Sequence, residues 1–179
     1  EEVGNVRNIV VSDQAGKSNI ISRLKTIGID VKENDPKIKK LLNEVKDREF
    51  IGYSYDGADA SFELLARRIM GEIPRYISIK EYDVSVRKNS SGKIISSAKA
   101  ELLVDGQKII CQGEGNGPVN ALDNAIRQNV DRLAKYSKYL KDLKLVDYKV
   151  RILNTGTEAI TRVSIESTDS KGKNWFTIG

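Results

Sequence analysis

The segment YDVSV at residues 82–86 returns with little change as YKVRI at residues 148–152. Each copy begins a run of three segments in which apolar and polar residues alternate, a pattern typical of β-strands. Each run ends on a glycine 31 residues after its tyrosine, at Gly113 and at Gly179. Unless strands of similar length coincide here by chance, the repeat predicts two units of β-β-β-α type, the second lacking its helix within this chain.

The strand pattern fills the second half of the sequence. Predicted strands are 76–88, 96–106, 107–113, 145–153, 159–167 and 174–179. Asp105-Gly106 separates two of them and is a strong hairpin signal. One helix is predicted at 118–136, because Pro118 suits a first turn and apolar residues then recur at helical spacing. These residues are Val119, Leu122, Ile126, Val130 and Leu133.

The chain before Pro74 is predicted to be mostly helical, after a short strand at 6–12. The first helix is capped by Ser18-Asn19, ends at Gly28 and has an apolar face of Ile20, Ile21, Leu24 and Ile27. The second begins at Asp35-Pro36 and has an apolar face of Ile38, Leu41, Leu42 and Val45. A third helix runs from a possible cap at Ser61 to Gly71. The predicted fold class is therefore α+β, with a helical linker at 1–72 followed by the two β-β-β-α units at 73–179.

The composition excludes several classes of function. The 179 residues contain no histidine, which removes histidine metal sites and catalysis of the Ser-His-Asp or Cys-His type. The single cysteine, Cys111, cannot form an internal disulfide, which favours a reducing cytoplasm. The net charge is +5, but the basic residues are interleaved with acidic ones and form no continuous basic stripe. No nucleic-acid partner is therefore predicted.

The sequence contains no membrane-span pattern and only weak matches to known ligand-binding motifs. No apolar run approaches the roughly 18 residues of a membrane span, and the chain, which begins at Glu1, is expected to be a piece of a longer protein. Residues 15–18 resemble the end of a phosphate loop, but Val11 stands where that pattern needs glycine. Asp56, Asp59 and Glu63 favour loop and cap roles over a cation site. No metal ligand or catalytic residue is predicted.

The segment GEGNGPVNALDNA at 113–125 is the best candidate for binding. It places free N–H groups and the positive end of a helix dipole at one point, which favours an anion. No Lys or Arg lies between Gly113 and Arg127, and the helix opens with apolar Val119. The carboxylate of a free amino acid fits this turn better than a phosphate does. A tight turn without any ligand is the alternative.

Three segments together resemble one known family. They are GYSYDGADASFELLARR (52–68), GEGNGPVNALDNAIR (113–127) and LVDYKVRILNTGTEAITRVSIES (145–167). All three are similar to the C-terminal half of the 2-isopropylmalate synthase, citramalate synthase and homocitrate synthase family. The opening at 3–20 is similar to the family's linker, and the sequences at 57–68 and 147–153 are closer to the citramalate synthase branch.

The resemblance implies a regulatory fragment rather than an enzyme. In this family a metal-dependent (β/α)₈ barrel condenses acetyl-CoA with a 2-oxo acid, and that barrel is expected to lie outside this chain. The regulatory domain forms a homodimer and binds the end product of the pathway. For this chain the resemblance implies isoleucine, with leucine as the alternative and a purely structural dimerisation module as a third possibility. No cofactor is expected in the fragment.

The resemblance also implies the effector-binding residues. One side of the site is expected at Gly115, Gly117, Val119 and Asn120. The other side is expected at Leu145, Tyr148 and Ile152, with Ala159 on the following strand as a weaker match. Asn120 or Asp147 would accept hydrogen bonds from the effector's ammonium group. In the linker, Tyr53 and Tyr55 are candidates to reach the active site of a partner subunit.

Overall fold

The computed structural model describes residues 16–154, 156 and 158–179. The strand predicted at 6–12 and the phosphate-loop position Val11 lie outside the described residues. Contacts divide the chain into two compact units. The terminal unit consists of the described residues up to Pro74 together with Lys144–Gly179, and the middle unit is Arg75–Leu143. The domain boundary predicted between residues 72 and 73 stays a prediction.

Three helices open the terminal unit, as the sequence predicts. They are α1 at Lys17–Thr26, α2 at Pro36–Phe50 and α3 at Asp59–Met70. The Asp35 side chain caps α2 by accepting a hydrogen bond of 2.8 Å from the Lys37 N–H. One buried cluster joins the helices, and it contains Ile20, Leu24, Ile38, Leu41, Val45, Tyr55 and Phe62. All of the first five belong to the apolar faces predicted from helical spacing.

Two predicted helix caps are wrong. The N-cap of α1 is Gly16, so Ser18 and Asn19 lie inside the helix. The N-cap of α3 is Ala58, and the Ser61 hydroxyl instead accepts a hydrogen bond of 3.0 Å from the Ile178 N–H. A serine hydroxyl satisfies whichever backbone N–H reaches it, and sequence spacing cannot reveal a donor 117 residues away. Gly71 does end α3, in the left-handed conformation with φ of 81°.

The terminal unit also contains a three-stranded antiparallel sheet. Its strands are β4 at Lys144–Ile152, β5 at Thr161–Thr168 and β6 at Asn174–Ile178, in the order β4-β5-β6. Arg162 on β5 donates a hydrogen bond of 2.5 Å to the Gly52 carbonyl. This bond joins one face of the sheet to the helical part of the same unit. The Ser61–Ile178 bond joins the edge strand β6 to the same helical part.

The middle unit is a second antiparallel sheet covered by a helix. It contains β1 at Ile77–Lys88, β2 at Ile94–Val104 and β3 at Gln107–Gly115, followed by α4 at Pro118–Gln128. The strand order is β1-β2-β3. Asp105 and Gly106 form the predicted tight turn, with φ of 48° and 82°. Cys111 is fully buried beneath α4, and burial raises the pKa of its thiol.

The single helix predicted at 118–136 is wrong in its extent. Helix α4 ends at Gln128, a 3₁₀ helix follows at Val130–Tyr136, and α5 occupies Ser137–Asp142. Asn129 explains the break, because its side-chain amide donates to the Ala125 carbonyl (2.8 Å) and to the Gln112 carbonyl (3.2 Å). Asparagine competes with helical hydrogen bonding in this way and so favours helix ends.

The two sheets are built alike, which confirms the repeat and the α+β class. Each has an antiparallel 1-2-3 order, and each first strand carries a bulge, between Ile79 and Glu81 or between Leu145 and Asp147. These bulges lie at the same position relative to the repeated tyrosine. The terminal glycines also correspond, because Gly113 pairs with Ala98 on β2 and Gly179 exchanges hydrogen bonds of 2.8 and 2.9 Å with Val163 on β5.

Candidate effector site

The first half of the candidate site is the N-terminus of α4. Gly117 is the N-cap, with extended backbone at φ of −165° and no side-chain capping bond. Pro118 has no N–H, so Val119 and Asn120 supply the first N–H groups that lack helical partners. The Val119 side chain, which belongs to the predicted apolar stripe of this helix and is also an expected effector residue, is 50% exposed. An apolar side chain therefore lies exposed beside N–H groups that favour an anion.

Close helix packing accounts for two glycines of the turn. A Cβ on Gly113 would lie 2.7 Å from the Ala125 Cα, and a Cβ on Gly115 would lie 2.5 Å from the Ala121 nitrogen. Ala121 and Ala125 are fully buried. The two glycines are two strand residues apart, about 6.8 Å, and the two alanines are four helical residues apart, about 6.0 Å. The similar spacing lets Gly113 lie against Ala125 and Gly115 against Ala121. Gly115 thus has a packing role whether or not it binds a ligand.

Gly117 differs from the other two glycines. A Cβ at this position would meet no heavy atom within 4 Å, and its φ is accessible to any residue. Packing therefore does not require glycine at 117.

Asn120 organises the turn through its side-chain oxygen. Its Oδ1 accepts from the Asn116 N–H (3.1 Å) and lies 3.5 Å from Asn124 Nδ2. Asn124 also donates to the Glu114 carbonyl at 2.8 Å. Since an amide oxygen has two lone pairs, both are engaged here. The predicted role of Asn120 as acceptor for an ammonium group would require this network to open.

The second half of the candidate site is one face of β4. Tyr148 pairs with Ile165, Ile152 pairs with Thr161, and Leu145 pairs with Ser167. Leu145 and Tyr148 are an odd number of positions apart and would point to opposite faces of a regular strand. The bulge leaves Val146 unpaired and returns Leu145 to the face of Tyr148 and Ile152. All three predicted residues therefore share one face.

This face is exposed and apolar. Ile152 is 67% exposed and Tyr148 is 37% exposed. Val150, which the sequence prediction omitted, pairs with Val163 on the same face and is also exposed. Val150 lies two residues from both Tyr148 and Ile152, so the alternation of strand residues could have predicted that it shares their face. In the middle unit the corresponding face of β2 and β3 is covered by α4.

Two other predicted positions lie elsewhere. Ala159 was expected on the strand after β4, but β5 begins at Thr161, so Ala159 belongs to the preceding connection. Asp147 faces away from Tyr148 because consecutive residues of a strand point to opposite faces, and it pairs with Glu166. Its carboxylate accepts from the Tyr148 N–H at 2.9 Å and pairs with Lys149 at 2.5 Å, and the hydrogen bond from Lys149 lowers its pKa. Asp147 is therefore engaged on the opposite face of the sheet.

The two linker tyrosines have different surroundings. Tyr55 is 1% exposed and packs edge-on against Phe62, with ring centroids 6.1 Å apart. Arg23 holds this loop by donating to the Tyr55 carbonyl at 3.1 Å and pairing with Asp59. Tyr53 is only partly buried and lies beside Arg48, whose guanidinium is 5.6 Å from the ring centroid. Of these two tyrosines, Tyr53 is the one with a side-chain surface that another subunit could contact.

The described residues define the limits of this chemistry. They contain no group of three or more metal-ligating side chains that could hold an ion. None of their helices is long and apolar enough to cross a membrane. The α4 half of the candidate site belongs to the middle unit and the β4 half to the terminal unit, so each half stands as a separate surface.

Comparison with known proteins identifies the family. Residues 56–179 match the LeuA allosteric (dimerisation) domain. The whole chain is 43% identical to an (R)-citramalate synthase of Aquifex aeolicus, covering 34% of that protein, and 40% identical to one of Geobacter sulfurreducens, again over 34%. A probable 2-isopropylmalate synthase of Methanopyrus kandleri is 27% identical over 96% of this chain and 32% of its own length. The chain thus spans about a third of these curated relatives.

The family match covers well over half of the chain, and it includes α3, both sheets and both halves of the candidate site. The chain therefore belongs to the LeuA allosteric (dimerisation) domain family, the regulatory domain of citramalate and 2-isopropylmalate synthases.

Proposed function

We propose that this chain is the feedback sensor of a cytoplasmic citramalate synthase and binds isoleucine where two copies of the chain meet. The parent protein would transfer the acetyl group of acetyl-CoA on a metal-dependent barrel outside these residues. The observation that carries the proposal is the exposed face of β4, on which the bulge gathers Leu145, Tyr148 and Ile152. Exposed contiguous apolar surface of this kind marks a binding or assembly site.

The two half-sites would divide the recognition of the amino acid. The N–H groups of Val119 and Asn120 would bind the carboxylate at the positive end of α4. Leu145 and Ile152 would contact the aliphatic side chain. Asn120 Oδ1 and Asp147 are already engaged, so backbone carbonyls are the acceptors we propose for the ammonium group.

A homodimer would bring the halves together. The α4 half of one copy and the β4 half of another each leave apolar side chains exposed, namely Val119 and Ile152. Burying them against an effector and a second copy would contribute free energy in proportion to the apolar area removed from water. Effector binding and dimerisation would then strengthen each other, because each stabilises the bound form.

Isothermal titration calorimetry with isoleucine, leucine and valine tests the proposal. We expect isoleucine to bind and to raise the melting temperature, because a ligand at 100 times its Kd stabilises the native state by about 2.7 kcal/mol. Valine lacks one methylene and should bind more weakly by about 1–3 kcal/mol. Tighter binding of leucine would reassign the chain to the 2-isopropylmalate synthase branch. A dimer on gel filtration that gives no heat with any of the three would identify a structural module without a sensor.

A further inference from the structure

The sheet of the terminal unit has two faces with different neighbours. Tyr148 and Ile152 lie on the exposed face described above. Arg162 on β5 pairs with Arg151, and the alternation of the strand places both on the opposite face. That opposite face contacts the helical part of the same unit through the bond from Arg162 to the Gly52 carbonyl. One sheet therefore connects the proposed effector surface with the linker helices.

Gly52 is the point of contact. Its carbonyl accepts the Arg162 Nε–H at 2.5 Å, and a Cβ at this position would overlap Cδ1 of Leu153. Its φ of 110° is a conformation that side-chain-bearing residues rarely adopt. We call the set of Gly52, Leu153 and Arg162 the Gly52 contact. The backbone conformation at this point favours glycine, and the Leu153 side chain packs directly against it.

Gly52 is also tied to the end of α2. Its N–H donates to the Glu49 carbonyl at 3.1 Å, and the Tyr53 N–H donates to the Arg48 carbonyl at 3.0 Å. The loop that follows leads through Tyr53 and Tyr55 to α3. A displacement of Gly52 therefore changes the junction between α2 and α3, where the packing of Tyr55 and the exposure of Tyr53 are set.

The chain itself links the effector surface to this contact. Ile152 and Leu153 are consecutive, and Ile152 is a predicted effector residue whereas Leu153 packs on Gly52. The Leu153 N–H donates to the Ile160 carbonyl at 2.9 Å, which holds Leu153 at the start of the β4–β5 connection. A shift of the Ile152 backbone on effector binding would be passed directly to Leu153.

We propose that the Gly52 contact transmits effector binding on β4 to the junction of α2 and α3. This inference rests on the proposed function, since it assigns the regulatory output of the same site. Arg162 and Leu153 act here as coupling residues and do not touch the effector. The physical requirement is that Gly52 has different positions in the free and bound forms, so that the effector changes their populations.

Hydrogen exchange of the whole chain tests the inference, with isoleucine as the probe. Segment 46–58 is followed with and without saturating isoleucine in the wild type and in Arg162→Met/Leu153→Ala. We expect isoleucine to slow exchange in this segment at least threefold in the wild type. The double variant should lose that difference while the Kd for isoleucine changes less than threefold. Arg151→Met is the matched control, because it removes the same charge from the same face, and it should behave as the wild type.

The outcomes separate this inference from the proposed function. Binding of isoleucine without any change at 46–58, or a full response in the double variant, would overturn the coupling and leave the sensor intact. If no amino acid binds, the proposed function fails, and the Gly52 contact is then tested in the free protein. In the free protein the double variant should exchange the amides of Gly52 and Tyr53 at least threefold faster than Arg151→Met does. Equal exchange rates in the two variants would overturn the role of the Gly52 contact.

Discussion

The match between the glycines of β3 and the alanines of α4 makes a quantitative prediction for Gly113→Ala. The three atoms nearest to the added Cβ belong to the backbone of α4, so no flexible side chain can move aside. The Ala125 Cα would lie at 2.7 Å, about 0.7 Å inside the 3.4 Å at which ordinary contacts begin. The Ala125 nitrogen would lie nearer still, so the helix must move away from β3 by at least this distance.

The expected cost follows from this displacement. Overpacking of this kind costs about 1–3 kcal/mol of folding stability. Part of this cost arises because moving α4 away from β3 opens a gap between them, and a gap of about 0.5–1 Å removes about a quarter to a half of the energy of each dispersion contact. Alanine also restricts the unfolded chain, which offsets about 0.4–1 kcal/mol. We therefore expect a net loss of about 1–2 kcal/mol. Gly117→Ala is the control, because no atom lies within 4 Å of its Cβ, and we expect a loss of at most about 0.5 kcal/mol from the weaker N-cap.

Urea unfolding followed by far-UV circular dichroism measures these losses, and hydrogen exchange of the α4 amides localises them. Tryptophan fluorescence is unsuitable, because the single tryptophan, Trp175, lies on β6 in the terminal unit. If Gly113→Ala proves as stable as Gly117→Ala, helix α4 does not approach β3 as closely as described, and the packing role of the glycines is refuted.

Four further predictions concern the site, the cysteine and one titrating turn. Gly117→Asp should keep or raise stability in chemical denaturation, because aspartate is a better N-cap than glycine. It should abolish isoleucine binding in calorimetry, because it puts an anion where the isoleucine carboxylate is proposed to bind. Retained affinity would contradict this position of the carboxylate. Ile152→Asp should change stability by no more than about 0.5 kcal/mol, since the side chain is 67% exposed, while it weakens isoleucine binding at least tenfold, and unaltered binding would remove β4 from the site. Cys111 should resist a thiol reagent at neutral pH until the protein unfolds, because it is fully buried and its pKa is raised, so rapid labelling of native protein would contradict its burial. Hydrogen bonds from Tyr136 and Lys135 lower the pKa of Asp105 below its ordinary 3.8, so its contribution to stability is present above that pH and is lost as the pH falls through the lower, folded value. Acid unfolding of Asp105→Asn, which suits the same turn, should show a smaller loss of stability below pH 4 than the wild type, and identical acid profiles would exclude the contribution of this carboxylate.

Local sequence patterns identified most of the elements correctly. The apolar spacing of Ile20, Leu24 and Leu41 predicted helix faces that are buried, and Asp105-Gly106 predicted a tight turn that the backbone adopts. The repeat of YDVSV as YKVRI predicted two three-stranded units, and the two sheets do share one strand order. Such signals succeed because helical and strand periodicity and turn chemistry depend on residues a few positions apart.

Tertiary structure decided the features that depend on distant residues. Small residues, Ala121 and Ala125, are buried where α4 approaches β3, whereas Val119 of the predicted apolar stripe is exposed. Asn129 ends α4 by donating a hydrogen bond to the Gln112 carbonyl on β3. The bulge at Val146 set which face of β4 Leu145 occupies, although simple alternation would have placed it opposite Tyr148. The sequence by itself thus determined the order and the helix or strand type of most elements, and the family. Only the tertiary structure decided which glycines pack a helix and which residues share an exposed face, because close approach and strand register arise from contacts between segments that are remote in the chain.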